Sequence, residues 1–222
     1  MLHTKRLTIL CGHYGTGKTN VAVNLALALR QQGEPVTVAD LDIVNPYFRT
    51  MDSADAFRDA GIRLICSRFA NSNVDIPSLP PDLYAITDDR QTRMVLDIGG
   101  DDSGATVLGR LAPAILAEDS FEMWMVVNQY RPLTRDVPST LEVMEEIRQA
   151  SGLPFTGLVN NSNLGAETTA AAVLASDGYA RKVAEAAGIP LVFTTVERRL
   201  AEELVGQVPN LFPMDLQKNK PF

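Results

Sequence analysis

Gly12-His13-Tyr14-Gly15-Thr16-Gly17-Lys18-Thr19 has the spacing G-x-x-x-x-G-K-T, and every fixed position has a physical task toward phosphate. Gly12, Gly15 and Gly17 allow backbone conformations and a close approach that side chains would obstruct. Around them, His13, Tyr14 and Thr16 complete a loop whose N–H groups face an anion together with the positive end of the following helix. Lys18 is placed to reach β- and γ-phosphates, and the Thr19 hydroxyl to ligate Mg²⁺. The implied chemistry is the binding of nucleotide phosphates.

Carboxylates follow at strand ends. Val36–Asp42 reads as a strand that finishes on Asp40 and Asp42, which alternation puts on one side. Like charges so close repel unless a cation or polar network compensates. One of the two aspartates would polarise an attacking water, while the other supports a metal shell. Arg93-Met94-Val95-Leu96-Asp97-Ile98-Gly99-Gly100 is an apolar strand ending in Asp. Asp97 would hold Mg²⁺ through a water, and Gly100 would let the backbone approach the γ-phosphate. A third strand ends in Asn160-Asn161, and the Asn161 amide has the donor and acceptor to pair with an adenine edge. Neither Val127-Asn128-Gln129-Tyr130 nor Asn160-Asn161-Ser162-Asn163 supplies the guanine-reading N-K-x-D pattern, which favours ATP over GTP.

These residues need a frame, and the hydrophobic pattern predicts one. Strands are expected at Leu7–Cys11, Val36–Asp42, Arg63–Cys66, Met94–Ile98, Glu122–Asn128, Thr156–Asn161 and Leu191–Thr195. Helices are expected at Lys18–Gln32, Ser53–Ala60, Ala105–Ala117, Ser139–Ala150, Tyr179–Ala187 and Arg198–Val205. Several strands are near-continuous apolar runs, as in a mostly parallel sheet covered by helices on both faces. The expectation is a doubly wound, three-layer α/β/α fold with its ligand at the C-terminal strand edge, and a single domain over residues 1–222. Ala70–Asp89 and Asn161–Asp177 read as irregular, as lids or partner surfaces. In the tail after Gly206, Leu211, Phe212, Met214 and Leu216 are expected to pack against their own domain.

Composition narrows the classes. Of 222 residues, 45% are hydrophobic and 21% charged, a balance unlike that of a disordered chain. The net charge of −7 gives no overall field for nucleic acid or anionic lipid. Cys11 and Cys66, with no C-x-x-C spacing, indicate neither a zinc site nor a disulfide framework nor an iron–sulfur cluster. No apolar run reaches membrane-spanning length, and Met1 to Arg6 is too short and polar for a signal sequence, so a cytoplasmic location is expected.

In order and spacing, Gly12–Thr19, Asp40-Leu41-Asp42, Asp97–Gly100 and Gly157-Leu158-Val159-Asn160-Asn161 resemble the MinD/ParA branch of the SIMIBI P-loop ATPases, which includes the nitrogenase iron protein and the CobQ/CobB nucleotide-binding domains. The resemblance implies a Mg²⁺-ATP site, with nucleotide state coupled to conformation, homodimerisation or a protein partner. It implies Asp42 as the switch I aspartate that positions water, Asp97 as that of switch II, and Asn161 as a contact to adenine. One position departs: the signature lysine after the first loop glycine is His13 here. An imidazole is shorter and is not a permanent cation at neutral pH, so it does not reproduce that charge in a transition state. Arg131 and Arg135, after the Glu122–Asn128 strand, are candidate substitutes. The favoured function is a Mg²⁺-dependent ATPase. An ATP-dependent small-molecule kinase or ligase, and a nucleotide-sensing module with negligible hydrolysis, are the alternatives.

Overall fold

The computed structural model describes residues 2–41, 53–66, 86–100, 102–118 and 120–216. Among these, eight strands form one sheet: β1 (Leu7–Cys11), β2 (Val36–Leu41), β3 (Arg63–Cys66), β4 (Arg93–Ile98), β5 (Phe121–Val127), β6 (Gly157–Asn160), β7 (Leu191–Glu197) and β8 (Leu211–Met214). Their spatial order is β3-β2-β4-β1-β5-β6-β7-β8, and every pairing is parallel. The helices are α1 (Lys18–Gln31), α2 (Ala54–Ala60), α3 (Asp102–Ala117), α4 (Val137–Ser151), α5 (Ala170–Ala187) and α6 (Ala201–Leu204). The expected three-layer α/β/α architecture is the observed one. Most of the Ala70–Asp89 segment lies outside the described residues.

Period-two alternation decides which helix each strand residue meets. Leu7, Ile9 and Cys11 of β1 pack with Leu108, Leu111 and Ile115 of α3, whereas Leu10 points the other way, into Val21, Leu25 and Leu29 of α1. β4 repeats the division, with Met94, Leu96 and Ile98 on the α3 side and Val95 on the α1 side. Sequence order reverses at β1, which lies between β4 and β5. That is a topological switch point, and its crevice opens at the C-terminal strand ends, where the glycine loop leaves β1.

The structure corrects two sequence expectations. Asn161–Asp177 is not irregular throughout, because α5 begins at Ala170. Thr169 caps it by accepting a hydrogen bond from the Ala172 N–H, and Ala170 and Val173 bury against Val196, Leu200 and Leu204. Small alanines carry this helix face, so the sequence shows little large-residue periodicity there. The tail contributes β8, paired with β7 from Thr194↔Leu211 to Glu197↔Met214. Pro213 masks the strand in the sequence, yet an edge strand tolerates a proline. Phe212 stacks at 4.8 Å on Phe193, and the Asn24 side chain of α1 exchanges two 2.9 Å hydrogen bonds with the Asp215 backbone. The tail therefore packs on its own sheet.

At the opposite edge from the glycine loop, Arg6 forms a buried ion pair with Glu118 and donates to the Ile86 and Asp89 carbonyls at 2.8 and 2.7 Å. These bonds satisfy a guanidinium that would be costly to bury alone. Cys11 ends β1 fully buried, and burial pushes its thiol up to about 12, against a lowering influence of Lys18. At pH 8 only about one thiol in ten thousand would then be thiolate. Iodoacetamide is expected to leave Cys11 unmodified in the native protein and to label it fully after denaturation, as read by peptide mass mapping.

Candidate nucleotide-binding site

The glycine loop spans the gap between β1 and α1, and its conformation follows from close approach. Gly12, at φ +151°, runs so near β5 that a Cβ there would strike the Val126 carbonyl oxygen. Gly17, at φ +84°, leaves no room for a Cβ beside the Asn161 amide nitrogen. It is also the N-cap of α1, in the left-handed region, with no side-chain cap. The first helical turn thus keeps N–H groups that an anion can accept from. The His13 carbonyl organises the loop, accepting from the Thr16 hydroxyl at 2.8 Å, the Thr16 N–H at 3.3 Å and Lys18 Nζ at 3.3 Å. The His13 ring is half-buried, edge-on to Tyr14 at 6.0 Å.

Lys18 is only 5% exposed, with Nζ 5.9 Å from the Tyr14 ring centroid. A Cβ on Gly100 would lie 3.0 Å from that nitrogen and 2.7 Å from the Tyr14 backbone nitrogen. The turn after β4 therefore touches the glycine loop directly. Asp97 is in register with Leu10 of β1 and with Asp40 of β2, so the two carboxylates are neighbours on adjacent strands. Asp40 and Asp97 are both buried, Asp97 to 1% exposure, and Thr19 is buried in the first turn of α1. Asp42 lies outside the described residues.

These donors are hard oxygens, the kind that suits Mg²⁺. No group of three or more His, Cys, Asp or Glu side chains stands ready to hold a metal among the described residues. Mg²⁺ is ordinarily held by one or two carboxylates together with the phosphates of a substrate. Thr19 and Asp97 thus fit a magnesium ion that arrives with a nucleotide.

Asn161 follows β6 and is 1% exposed. Its amide nitrogen donates to the Thr16 carbonyl at 2.6 Å, and its amide oxygen accepts from the Thr195 hydroxyl at 2.5 Å. The side chain ties the glycine loop to β7. Asn128 continues this lacing: its amide donates to the Asn163 carbonyl at 3.1 Å and accepts from the Tyr130 N–H at 3.0 Å. Ser162 Oγ accepts from the Gln129 N–H at 2.9 Å. Beside this network, Asn161, Ser162, Thr168, Thr195, Glu197 and Met214 line a narrow crevice with room for about one water molecule. Thr195 and Asn128 carry no sequence signal for this role, because their partners lie in other loops.

Of the candidate cations after β5, Arg131 reaches the glycine loop and Arg135 does not. Arg131 Nε donates to the Gly15 carbonyl at 2.9 Å, whereas Arg135 lies 3.4 Å from the Asp136 carboxylate.

The ParA family model, described as an NUBPL iron-transfer P-loop NTPase, matches residues 3–69, under a third of the chain. No curated protein matches the chain significantly. Among solved structures, the signal recognition particle 54 kDa protein from Aeropyrum pernix, in complex with GDP, is 18% identical with a TM-score of 0.55 over 86% of this chain and 41% of that one. FtsY from Thermotoga maritima is 16% identical with a TM-score of 0.57 over 87% of this chain and 62% of that one. FtsY from Elizabethkingia anophelis is 15% identical with a TM-score of 0.51, covering 86% and 59%. The chain thus spans between 41% and 62% of the length of these structures. At such identities the likeness is one of fold. The chain has the P-loop NTPase fold, and its N-terminal part is similar to the ParA family.

Proposed function

We propose that this chain is a Mg²⁺-dependent ATP-binding protein and ATPase of the MinD/ParA type, coupling nucleotide state to conformation or to a partner, a second copy of the chain included. The observation that carries the reading is the convergence of Lys18, Asp97 and the turn at Gly100 on one glycine loop. Loop N–H groups and Lys18 Nζ would hold the β- and γ-phosphates. Thr19 and Asp97 would hold magnesium, which supplies charge neutralisation on the phosphate oxygens. Asp40 of β2, or Asp42 two residues on in the sequence, would orient the attacking water and accept its proton. Because the Asn161 amide donates to the Thr16 carbonyl, its part in adenine binding would be to position the glycine loop beside the base.

A preference for adenine is supported by the Val127-Asn128-Gln129-Tyr130 and Asn160-Asn161-Ser162-Asn163 runs, neither of which supplies the guanine-reading N-K-x-D pattern. Titration calorimetry with Mg²⁺ present should give an ATP dissociation constant at least about tenfold below that of GTP, a gap of about 1.4 kcal/mol. Equal affinities, or tighter GTP, would refute the assignment of adenine. Binding of neither would remove the reading altogether.

A further inference from the structure

Arg131 is fixed in place from behind. Its N–H donates to the Asn128 carbonyl at 3.0 Å, and its own carbonyl accepts from the Thr134 N–H at 3.1 Å. The buried Thr134 hydroxyl closes the turn on the Asn128 carbonyl at 2.6 Å. The guanidinium lies close against the loop, since a Cβ on Gly15 would be 3.3 Å from Nε and 3.6 Å from Cζ. Among the described residues Nε alone is engaged, with the Gly15 carbonyl, and the terminal N–H groups of the fork have no protein acceptor.

Several arginines of this acidic chain are matched with carboxylates, Arg135 with Asp136 and Arg148 with Glu145 among them, whereas Arg30, like Arg131, donates to a backbone carbonyl. Arg131 has no such counter-ion among the described residues. It rests on a loop built to present N–H groups to an anion. Gly15 itself is exposed, so the loop can be reached from solvent at this residue. An arginine with a fixed backbone, no carboxylate and a phosphate cradle beneath it has its natural counter-ion in phosphate.

We propose that Arg131 is a phosphate-binding residue, the second cation of the glycine loop, reaching it from the loop after β5. Lys18 then serves the polyphosphate from the buried side of the loop, and Arg131 from its exposed side. The proposal rests on the nucleotide-binding reading above.

Arg131→Gln and Arg131→Lys separate charge from scaffolding. Glutamine keeps a donor for the Gly15 carbonyl and loses the charge, whereas lysine keeps the charge. Calorimetry with Mg²⁺-ATP should show affinity about tenfold weaker for Arg131→Gln and within about threefold of native for Arg131→Lys. The dependence of affinity on salt should flatten in Arg131→Gln alone. Melting temperatures, measured in parallel, should match the native one, and a variant with a lowered melting temperature is compared only at temperatures where it remains folded. Native-like ATP affinity in Arg131→Gln overturns the proposal and leaves Arg131 a latch on the loop. If the native chain binds no nucleotide, the functional reading and this inference fall together.

Discussion

Lys18→Ala is expected to abolish nucleotide binding and leave the sheet folded. The side chain is almost entirely buried, yet its hydrogen bond to the His13 carbonyl is a long one. The loop also keeps its Thr16 bonds to that carbonyl and the Asn161 tie without Lys18. What disappears is the positive charge beside Gly100, in the crevice where Asp40 and Asp97 are neighbours. Without Lys18 these carboxylates would act on an incoming polyphosphate with no buried cation between. A charge-assisted contact to phosphate inside a shielded crevice contributes more than a neutral one. We expect a loss of at least about 100-fold in ATP affinity, about 2.7 kcal/mol, by calorimetry. Far-ultraviolet circular dichroism should be native-like. Unchanged affinity would show that the loop is not the nucleotide cradle.

Asn161→Asp carries the largest expected cost in stability. The native amide bridges a carbonyl on one side and a hydroxyl on the other, so its two ends have opposite hydrogen-bonding sense. An ionised carboxylate keeps the Thr195 bond and sets an oxygen against the Thr16 carbonyl, in a position closed to bulk solvent. Leaving a buried charge without compensation costs on the order of 3 kcal/mol or more. For a protein of this size that corresponds to a fall in Tm of roughly 6–12 °C. Thr195→Val removes only the hydroxyl donor and should cost about 1 kcal/mol. Acid gives the diagnostic sign. The introduced carboxyl would have a raised pKa in the folded state, because its protonated form can donate to the Thr16 carbonyl. The penalty should therefore be full above that raised value and vanish as pH falls below the unfolded carboxyl's pKa. Urea unfolding of native and variant chains across that range checks it, and a pH-independent difference would contradict the assigned hydrogen-bond direction.

Local chemistry makes much of the fold legible in the order of residues. β1 and β3 have the bounds read from their apolar runs, β4 and β7 extend theirs by one and two residues, and β5 is shifted by one toward the N-terminus. Strand burial on both faces leaves a run of apolar residues whatever the neighbours are, so it survives in the sequence. α5 and β8 are less legible. The first half of α5 is buried through alanines, and β8 is a four-residue edge strand containing a proline. Both depend on partners brought in by the sheet: Val196 and Leu200 for α5, and Phe193 for β8.

The candidate site divides the same way. By itself, the sequence determined the glycine loop, the lysine within it and the strand-end aspartates. Those features need only short spacings, because phosphate is gripped by consecutive backbone N–H groups and by side chains one strand apart. Tertiary structure alone decided that Asn161 clamps Thr16 against Thr195, and that Arg131 rather than Arg135 lies on Gly15. Spacing does not encode those contacts. They join residues 145 and 116 positions apart, and the order of strands β1, β5, β6 and β7 in the sheet is what brings their loops to one crevice.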